Sequence, residues 1–490
     1  MQLIRHTMIL IAGALLLAGC TCGHALKELK KTRPAAQALS VEAYDQMVKE
    51  YRQVLEKYQP DAGSNCFTET DAAIKNFEKL REEAFFKDSK AENTIEAYEG
   101  YLYKYPYGQF VEAAKDLRNK IWFQTDMNFD RGIQFLALFM KAQMMQHQSF
   151  GKFFPDPKPR PAVMDPFKDT QTGQELTVND VIENLFTQSL NQHLLELVEF
   201  SPKNLPDAEF VFRGILSLEK DPVSNKQRNY HIYARLDEKS SGRWVAGADV
   251  WVGNFPYTPK PIYADMPVYP IDKNLEKLKE SASNPQIEDK DYTAFLDTQS
   301  VLSEGNRLYE KGKYKEALKR YEDVSKREDG QKMAVWLGLY NIYLRLKDLE
   351  KAGNSFRKAV EIGVRENNEI FSNFLFDVNS AYFIKDKKLF QEYEIQLREI
   401  SDYLKKTKTC VRITGHVSRT GDPNQLSKRR AETVQRIMAE TFPKIYRYSE
   451  IAGMGYKECM KCTVPDSDGN AIDRRVEFKI IPCKKNRRDR

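Results

Sequence analysis

The sequence predicts a multi-domain α+β protein, and three observations lead to that fold class. The chain has 490 residues, enough for about three or four domains of ordinary size. Long segments with the apolar period of helices are separated by a segment with the alternating period of strands. Prolines at positions 155, 157, 159 and 161 mark a boundary between the two patterns. We therefore expect a helical N-terminal region, an α/β middle domain, helical hairpins and a mixed C-terminal domain.

The composition is that of a globular chain that can build cores, with 41% apolar and 30% charged residues. A net charge of +6 is too small and too evenly mixed to indicate nucleic-acid binding. Residues 484–490 form a basic tail, Lys484-Lys485-Asn486-Arg487-Arg488-Asp489-Arg490. We interpret this tail as a solvated terminus, with contact to an anionic wall polymer or lipid as the alternative.

The N-terminus has the pattern of an export signal. Arg5 and His6 precede the apolar run Met8–Leu17, which is too short to span a bilayer as a helix of roughly 20 residues. The run ends in Leu17-Ala18-Gly19-Cys20, which resembles a bacterial lipobox, where the cysteine is acylated and becomes the new N-terminus. Thr21 follows, whereas Asp at that position often marks inner-membrane retention. We therefore expect a signal peptide over residues 1–19, a lipid on Cys20, a tether over residues 20–40, and an outer-membrane protein facing the periplasm.

Two regions resemble tetratricopeptide hairpins. Residues 41–150 are helical in pattern, and Thr94–Ala114 looks like a degenerate hairpin of this family, with an unrelated helical bundle as the alternative. Residues 290–365 contain a clearer repeat, because Tyr314 to Leu349, Ala317 to Ala352 and Tyr321 to Phe356 are each 35 apart. Other repeat positions are Gly305, Leu308, Tyr309, Gly312, Leu318, Trp336, Leu339, Tyr340, Tyr343 and Ala359. Two repeats are few for a free-standing solenoid, so we expect them to dock on neighbouring elements and to offer surfaces to protein partners.

Residues 155–272 are predicted to contain one strand, one helix over Leu176–Phe200 and three further strands. The strands are Ala162–Phe167, Ala208–Leu218, Tyr230–Leu236 and Trp244–Val252. This order resembles the penicillin-binding-protein activator lipoproteins and the related domains of curli-secretion and flagellar lipoproteins. The alternative is a generic exported α+β domain.

Residues 370–484 resemble an OmpA-like domain, a βαβαβ fold that binds peptidoglycan. The resemblance rests on several motifs in the family's order. They are Phe374–Ala381 for the first strand, Leu389–Leu404 for a helix, Val411–His416 for a strand ending in Gly415-His416, Leu426–Ala431 for the start of a helix, Gly453-Met454-Gly455 for the last loop and Asp473–Phe478 for the last strand.

The resemblance implies a binding site for peptidoglycan stem peptides, which present carboxylates and in many species a free ammonium. Arg430 matches the family's ligand-binding arginine near a helix start, with Arg474 or Arg475 beside it; an arginine offers a planar fork of donors to a carboxylate. The alternative is that these arginines only pair with local acids. Gly415 and His416 belong to the same site, His416 as a structural hydrogen-bonding residue.

One position departs from the family pattern. The family has an aspartate shortly after Gly-His that holds the stem-peptide ammonium, whereas this sequence has Ser418, and the following loop is about three residues shorter. Serine supplies no charge. Asp422 or Asp473 is a candidate substitute; without one, wall binding is weakened, altered or lost.

Six cysteines remain besides Cys20, an even number in an exported chain, where disulfides persist. Cys410 begins the strand that ends at Gly415-His416, and Cys483 ends the strand that begins near Arg474-Arg475. In the OmpA-like family, the end of the first strand and the start of the second lie together at the ligand site. The two strands therefore run antiparallel, and their other ends meet as well. The resemblance therefore implies a bridge between Cys410 and Cys483, while Cys459 and Cys462 pair locally or stay reduced. Zinc binding by these four thiols is the alternative. The pairing of Cys22 and Cys66 stays open.

No enzyme signature is present: the sequence lacks the zinc-protease, nucleophile-elbow, phosphate-loop and dinucleotide motifs. We therefore expect a non-enzyme without a cofactor or metal. The leading hypothesis is an outer-membrane lipoprotein that binds peptidoglycan and scaffolds envelope partners. The alternative is a regulatory or assembly lipoprotein for a wall synthase or a secretion or motility apparatus, in which the OmpA-like domain only localises the chain.

Overall fold

The structure is a computed structural model that describes residues 22–31, 39–57, 65–147, 159–190, 194–220, 222, 228–272, 275–282, 284, 290–372, 374–377, 379–417, 423–458 and 473–484. The chain divides into two compact units, residues 1–126 and 127–490. The predicted lipobox at Cys20 lies outside the described residues, as do Ser418, Asp422, Cys459 and Cys462. Within the described ranges, no helix is both long enough and apolar enough to cross a membrane.

The first unit consists of helices over its described ranges. They are α1 (Cys22–Lys31), α2 (Val41–Lys57), α3 (Asn65–Glu92), α4 (Ile95–Lys104) and α5 (Val111–Trp122). The expected tether over residues 20–40 is therefore wrong for 22–31. This segment is a helix because Ala25, Leu26 and Leu29 fall on one face and are buried. Leu26 and Leu29 belong to the same apolar cluster as residues of α2 and α3.

The second unit begins with α6 (Phe129–Gln146), which was expected to belong to the N-terminal helical region over residues 41–150. This helix packs on the middle-domain sheet instead. Its Gln143 side chain exchanges two hydrogen bonds with the Gly247 backbone, at 3.0 and 2.7 Å. The apolar period predicts the helix but does not say which sheet it covers.

The middle domain is a mixed sheet in the order β3-β1-β4-β5-β6, with β2 beside β4. The strands are β1 (Arg160–Met164), β2 (Lys168–Asp169), β3 (Leu195–Val198), β4 (Phe210–Lys220), β5 (Arg228–Glu238) and β6 (Trp244–Val252), and α7 (Asn179–Leu190) precedes β3. The predicted helix over Leu176–Phe200 is therefore too long. Its last part is a strand because Leu195–Val198 pair in parallel with β1. Two short helices, α8 (Pro261–Ala264) and α9 (Leu275–Ala282), follow the sheet.

Two helical hairpins occupy the predicted repeat region: α10 (Lys290–Glu310) with α11 (Tyr314–Ser325), and α12 (Met333–Arg345) with α13 (Leu349–Asn367). The Tyr321 ring is accommodated by two glycines, because a Cβ at Gly305 or Gly338 would come within 2.9 or 2.1 Å of it. Ala317 and Ala352 are fully buried. As expected for so few repeats, the hairpins share one apolar core with the C-terminal domain.

The C-terminal domain has the order β7 (Glu369–Ser372), α14 (Lys387–Thr407), β8 (Cys410–His416), α15 (Pro423–Thr441), α16 (Ile445–Tyr448), β9 (Ser449–Gly455) and β10 (Val476–Ile481). Its sheet has the order β7-β10-β8-β9, in which β10 is antiparallel to β7 and β8, and β8 is parallel to β9. The elements from β7 to β9 follow the expected βαβαβ alternation, and β10 is a further strand that the expected pattern did not include.

Two boundaries in this domain differ from the prediction. The first strand was expected at Phe374–Ala381 but lies at Glu369–Ser372. The later residues alternate because Phe374 and Phe376 pack against Phe383, not because the segment pairs in the sheet. Residues 453–455 were expected in a loop but end strand β9, where Gly453 and Gly455 pair with β8.

Candidate functional site

Arg430 lies on α15, and only 3% of its surface is exposed. Its Nε donates a 3.0 Å hydrogen bond to the Ser380 carbonyl oxygen, and one Nη lies 3.4 Å from the Asp377 carbonyl oxygen. The guanidinium carbon lies 4.7 Å from the centre of the Phe376 ring. The side chain is therefore held by the loop that follows β7, in a plane fixed by the ring and the two carbonyl groups.

The charge of Arg430 has no carboxylate within ion-pair distance among the residues that the structure describes. Burial, together with the nearby guanidinium of Arg474, lowers the pKa of Arg430 to about 10. Both effects disfavour the cation, and the attraction of a bound anion would oppose them. The arrangement can therefore accept an anion such as a carboxylate.

The position of Arg430 in its helix differs from the expectation. Helix α15 begins at Pro423, so Arg430 lies about two turns inside it rather than near its start. The unpaired backbone N–H groups of the first turn therefore do not add to the field at Arg430. Its environment is set by the loop carbonyl groups and the aromatic ring.

Of the two arginines expected beside Arg430, Arg474 is the one whose charge affects it. Arg475 binds elsewhere: its Nε donates to Glu477 Oε1 at 2.7 Å, and one Nη donates to the Glu458 carbonyl oxygen at 3.0 Å. Only 4% of Arg475 is exposed, so this is a buried, paired arginine. Arg475 therefore pairs with a local acid, which was the alternative to ligand binding.

Position 415 requires a glycine because helix α15 packs closely on strand β8. A Cβ at Gly415 would lie 2.0 Å from the carbonyl oxygen of Ser427 on α15. The Ser427 hydroxyl accepts a 3.0 Å hydrogen bond from the Gly455 backbone N–H and donates a 2.9 Å bond to the Asn424 carbonyl oxygen. These contacts hold the first turns of α15 against β8 and β9, which fixes where the helix presents Arg430.

His416 is buried at the end of β8, and its backbone N–H donates to the Arg475 carbonyl oxygen at 2.9 Å. Its Nε2 lies 3.2 Å from Glu477 Oε2, within ion-pair distance but without hydrogen-bond geometry. Although burial alone would raise it, His416 and Arg475 bring the pKa of Glu477 below its usual value. His416 therefore joins two strands, in line with a structural role.

His416, Glu458 and Glu477 bring three metal-ligating atoms within 4.8 Å of one another. One oxygen of Glu477 is already bound by the Arg475 guanidinium, which would repel a cation placed there. We therefore assign no metal to this cluster.

Asp473, one of the two candidate substitutes for the missing carboxylate, is buried, with 3% of its surface exposed. Ser418 and Asp422 fall in a segment outside the described residues, so their expected roles stay predictions. The residues that sequence reasoning missed are Phe376, Asp377 and Ser380, which hold Arg430. Two of them act through backbone carbonyl groups, which carry no signal in the sequence.

Cys410 and Cys483 form a disulfide with Cα atoms 5.2 Å apart, as the strand arrangement predicts. The antiparallel pairing of β8 with β10 brings Cys410 opposite Ile481, two residues before Cys483. Cys22 and Cys66, whose pairing the sequence left open, are also bridged, with Cα atoms 6.0 Å apart. A zinc site that includes Cys410 and Cys483 is therefore excluded in this disulfide-bonded form.

No protein-family model matches the chain, and no curated protein matches its sequence. Among solved structures, it is similar to the periplasmic domain of MotB, with 14% identity and a TM-score of 0.19, over 25% of this chain and 66% of that one. It is also similar to the periplasmic domain of Helicobacter pylori MotB, with 16% identity and a TM-score of 0.18, over 22% of this chain and 80% of that one. The match therefore spans just under two thirds of the first structure.

Proposed function

We propose that this chain is an outer-membrane-anchored periplasmic lipoprotein that binds peptidoglycan non-covalently and scaffolds envelope partners. The observation that supports wall binding is Arg430, a buried guanidinium without a carboxylate partner among the described residues. The proposal assigns no catalytic role and no cofactor. The anchor is the lipid on Cys20, and the partner surfaces are those of the helical hairpins.

In this proposal Arg430 binds a stem-peptide carboxylate. The guanidinium is already oriented by Phe376 and the loop carbonyl groups, so little side-chain entropy is lost on binding. Arg474 adds a second positive charge nearby. An ion pair formed in a largely buried position is screened by water less than one at the surface.

The part of the site that would bind the stem-peptide ammonium is expected to bind weakly. Ser418 stands where the resembling family has a carboxylate, so the affinity should be lower than that of a domain with aspartate there. If Asp422 replaces that carboxylate, Asp422→Ala weakens binding further. Ser418→Asp should strengthen binding if the rest of the pocket is intact.

Sedimentation of the purified full chain with isolated sacculi tests wall binding. Arg430→Ala should lose about 2–5 kcal/mol of binding free energy if Arg430 makes a buried charge-assisted contact. Arg429→Ala is the matched control, because Arg429 is the neighbouring residue on the same helix and is exposed. Circular dichroism and thermal unfolding show whether Arg430→Ala keeps its fold, and Arg430→Lys retains the charge if it does not.

The outcome separates the two hypotheses about function. Retention that depends on Arg430 but not on Arg429 supports wall binding. If the wild-type chain is not retained and instead co-purifies with a stable protein partner, the regulatory or assembly lipoprotein is the better account. Equal loss for both variants would assign the effect to general positive charge.

The anchor has its own test. Cys20→Ala should abolish labelling by a fatty-acid probe, because in this proposal the acyl chains on Cys20 hold the chain in the membrane. Equal labelling of the wild type and the variant would contradict the lipobox interpretation. Cys22 is not a suitable control, because it is bridged to Cys66.

A further inference from the structure

The end of the C-terminal domain that lies away from Arg430 carries a positively charged surface. The end of α14, the short helix α16 and the start of β8 meet there. Helix α14 contacts α16, and Ser449, which follows α16, pairs with Val411 near the start of β8. Helix α15 runs between the two ends of the domain, and its last residue, Thr441, lies about 16 Å along the helix axis from Arg430. This surface is therefore separate from the proposed wall site.

We call this surface the basic end and define it by five exposed cations. They are Lys405, Lys406, Lys408, Lys444 and Arg447. None of the five lies within ion-pair distance of a carboxylate in the part of the chain that the structure describes. The carboxylates on the same ends of α14 and α15 are Asp402 and Glu440, so the cations outnumber them.

The disulfide of the C-terminal domain adds further positive charge to the basic end. Cys483 Sγ lies 3.6 Å from the Lys408 carbonyl oxygen, so the bridge holds Lys484 beside this surface. Lys484 and Arg412 share one carboxylate, that of Glu450, at 2.8 and 3.2 Å. Residues 485–490, which lie outside the described residues, add four cations and one aspartate to the sequence at this point.

Local helix stability does not account for the whole of this charge. Lys405 and Lys406 lie in the last turn of α14, where cations also stabilise a helix through its dipole. Lys444 precedes the first residue of α16, a position where a helix dipole does not favour a cation. Tyr446, between Lys444 and Arg447, is 58% exposed, so an aromatic ring stands among the cations.

We propose that the basic end binds the anionic headgroups of a membrane lipid surface. Lysine and arginine side chains close to an anionic bilayer are attracted to it over about a Debye length. A tyrosine side chain is favoured at the lipid–water interface, because its ring is apolar and its hydroxyl is polar. A soluble acidic polymer would use the cations but would gain less from the exposed Tyr446 ring. The inference does not depend on wall binding, and it gives the C-terminal domain a second contact, with a bilayer, at the end away from Arg430.

Co-sedimentation of residues 21–490 with lipid vesicles tests this proposal. This chain lacks the predicted signal peptide and Cys20, so its retention cannot come from either of them. Vesicles of phosphatidylglycerol mixed with phosphatidylcholine supply anionic headgroups, and vesicles of phosphatidylcholine alone are the control. The chain should sediment with the mixed vesicles and not with the control vesicles, and added salt should release it.

Two triple variants with the same change in net charge test the location of the surface. Lys405→Gln/Lys406→Gln/Lys444→Gln should weaken binding to the mixed vesicles by roughly a hundredfold, at about fivefold for each lysine. The matched control is Lys311→Gln/Lys315→Gln/Lys319→Gln, which changes three exposed lysines of the first helical hairpin and should bind as the wild type does. All six lysines are exposed, and circular dichroism checks that both variants fold.

Two single variants test the kind of partner. Tyr446→Ala should bind the mixed vesicles more weakly than the wild type, because the ring leaves the interface. Arg430→Ala should bind them as the wild type does, so a failure of wall binding is distinguishable from a failure of this proposal.

The proposal is overturned if the mixed and control vesicles retain the chain equally, or if the two triple variants bind alike. Binding by Tyr446→Ala at the wild-type level, together with displacement of the chain by soluble polyglutamate, would assign the basic end to an acidic polymer and would also overturn it.

Discussion

Removal of the Cys410–Cys483 bridge should lower the free energy of opening of the C-terminal sheet by an amount that can be calculated. The bridge spans a sequence separation of 73 residues. In the chain-entropy description, a closed loop of this length stabilises the folded state by about 4 kcal/mol. The double variant Cys410→Ala/Cys483→Ala should therefore lower the free energy of opening of β8 and β10 by up to that amount.

Native-state hydrogen exchange provides the assay, because it reports opening element by element. The amides that pair β8 with β10, from Gly415 and Val476 to Cys410 and Ile481, should exchange up to about a thousandfold faster. The helices of residues 22–126 belong to the other compact unit, so their exchange should not change.

The second bridge supplies the reciprocal control. Cys22 and Cys66 are separated by 44 residues, and their removal should speed exchange in α1–α3 while leaving β8 and β10 unchanged. Unchanged exchange in β8 and β10 after loss of the Cys410–Cys483 bridge would refute the reasoning. Equal acceleration in both units would show that the bridges do not act locally.

Two further predictions concern the middle and C-terminal domains. Burial alone would lower the pKa of His231, but its hydrogen bonds to Asp249, at 2.7 Å, and to Glu219 raise that pKa above 6.5. The stabilisation from this imidazolium is therefore fully present below pH 6.5 and is lost as the pH rises through the raised pKa, so the difference in melting temperature between wild type and His231→Gln should shrink over that interval. A difference that does not vary with pH would contradict this account. Gly415→Ala should destabilise the protein by about 1–3 kcal/mol because its Cβ would overlap the Ser427 carbonyl oxygen, whereas Gly100→Ala, in a helix with open space around it, should be stabilising by about 0.5–1 kcal/mol. Thermal unfolding measures both, and equal effects would show that the close contact at Gly415 can relax.

The sequence by itself determined the alternation of helical and β regions and the spacing of the helical hairpins. Both follow from local periodicity: Ala317 and Ala352 are 35 residues apart, and both are fully buried where helices meet. The bridge between Cys410 and Cys483 was implied by the resemblance to the OmpA-like family, in which the two strands are antiparallel, and it is present in the structure. These inferences succeed because each depends on a repeat or on one pairing direction.

Other features were decided only by tertiary packing. The segment 195–198 is a strand rather than the end of a helix because a parallel neighbour, β1, completes its hydrogen bonds. Residues 22–31 are a helix rather than a tether because α2 and α3 supply a surface for Leu26 and Leu29. In each case the local pattern was compatible with more than one state, and burial against a distant element selected one.

The candidate site divides in the same way. The sequence indicated Arg430, with Arg474 or Arg475 beside it, because these charged residues lie in motifs that resemble those of a known family. It did not indicate the Ser380 and Asp377 carbonyl groups that orient Arg430, nor that Arg475 binds Glu477. Backbone groups are the same in every residue, so the sequence cannot show which carbonyl group a side chain will meet; only the fold brings that loop to that helix.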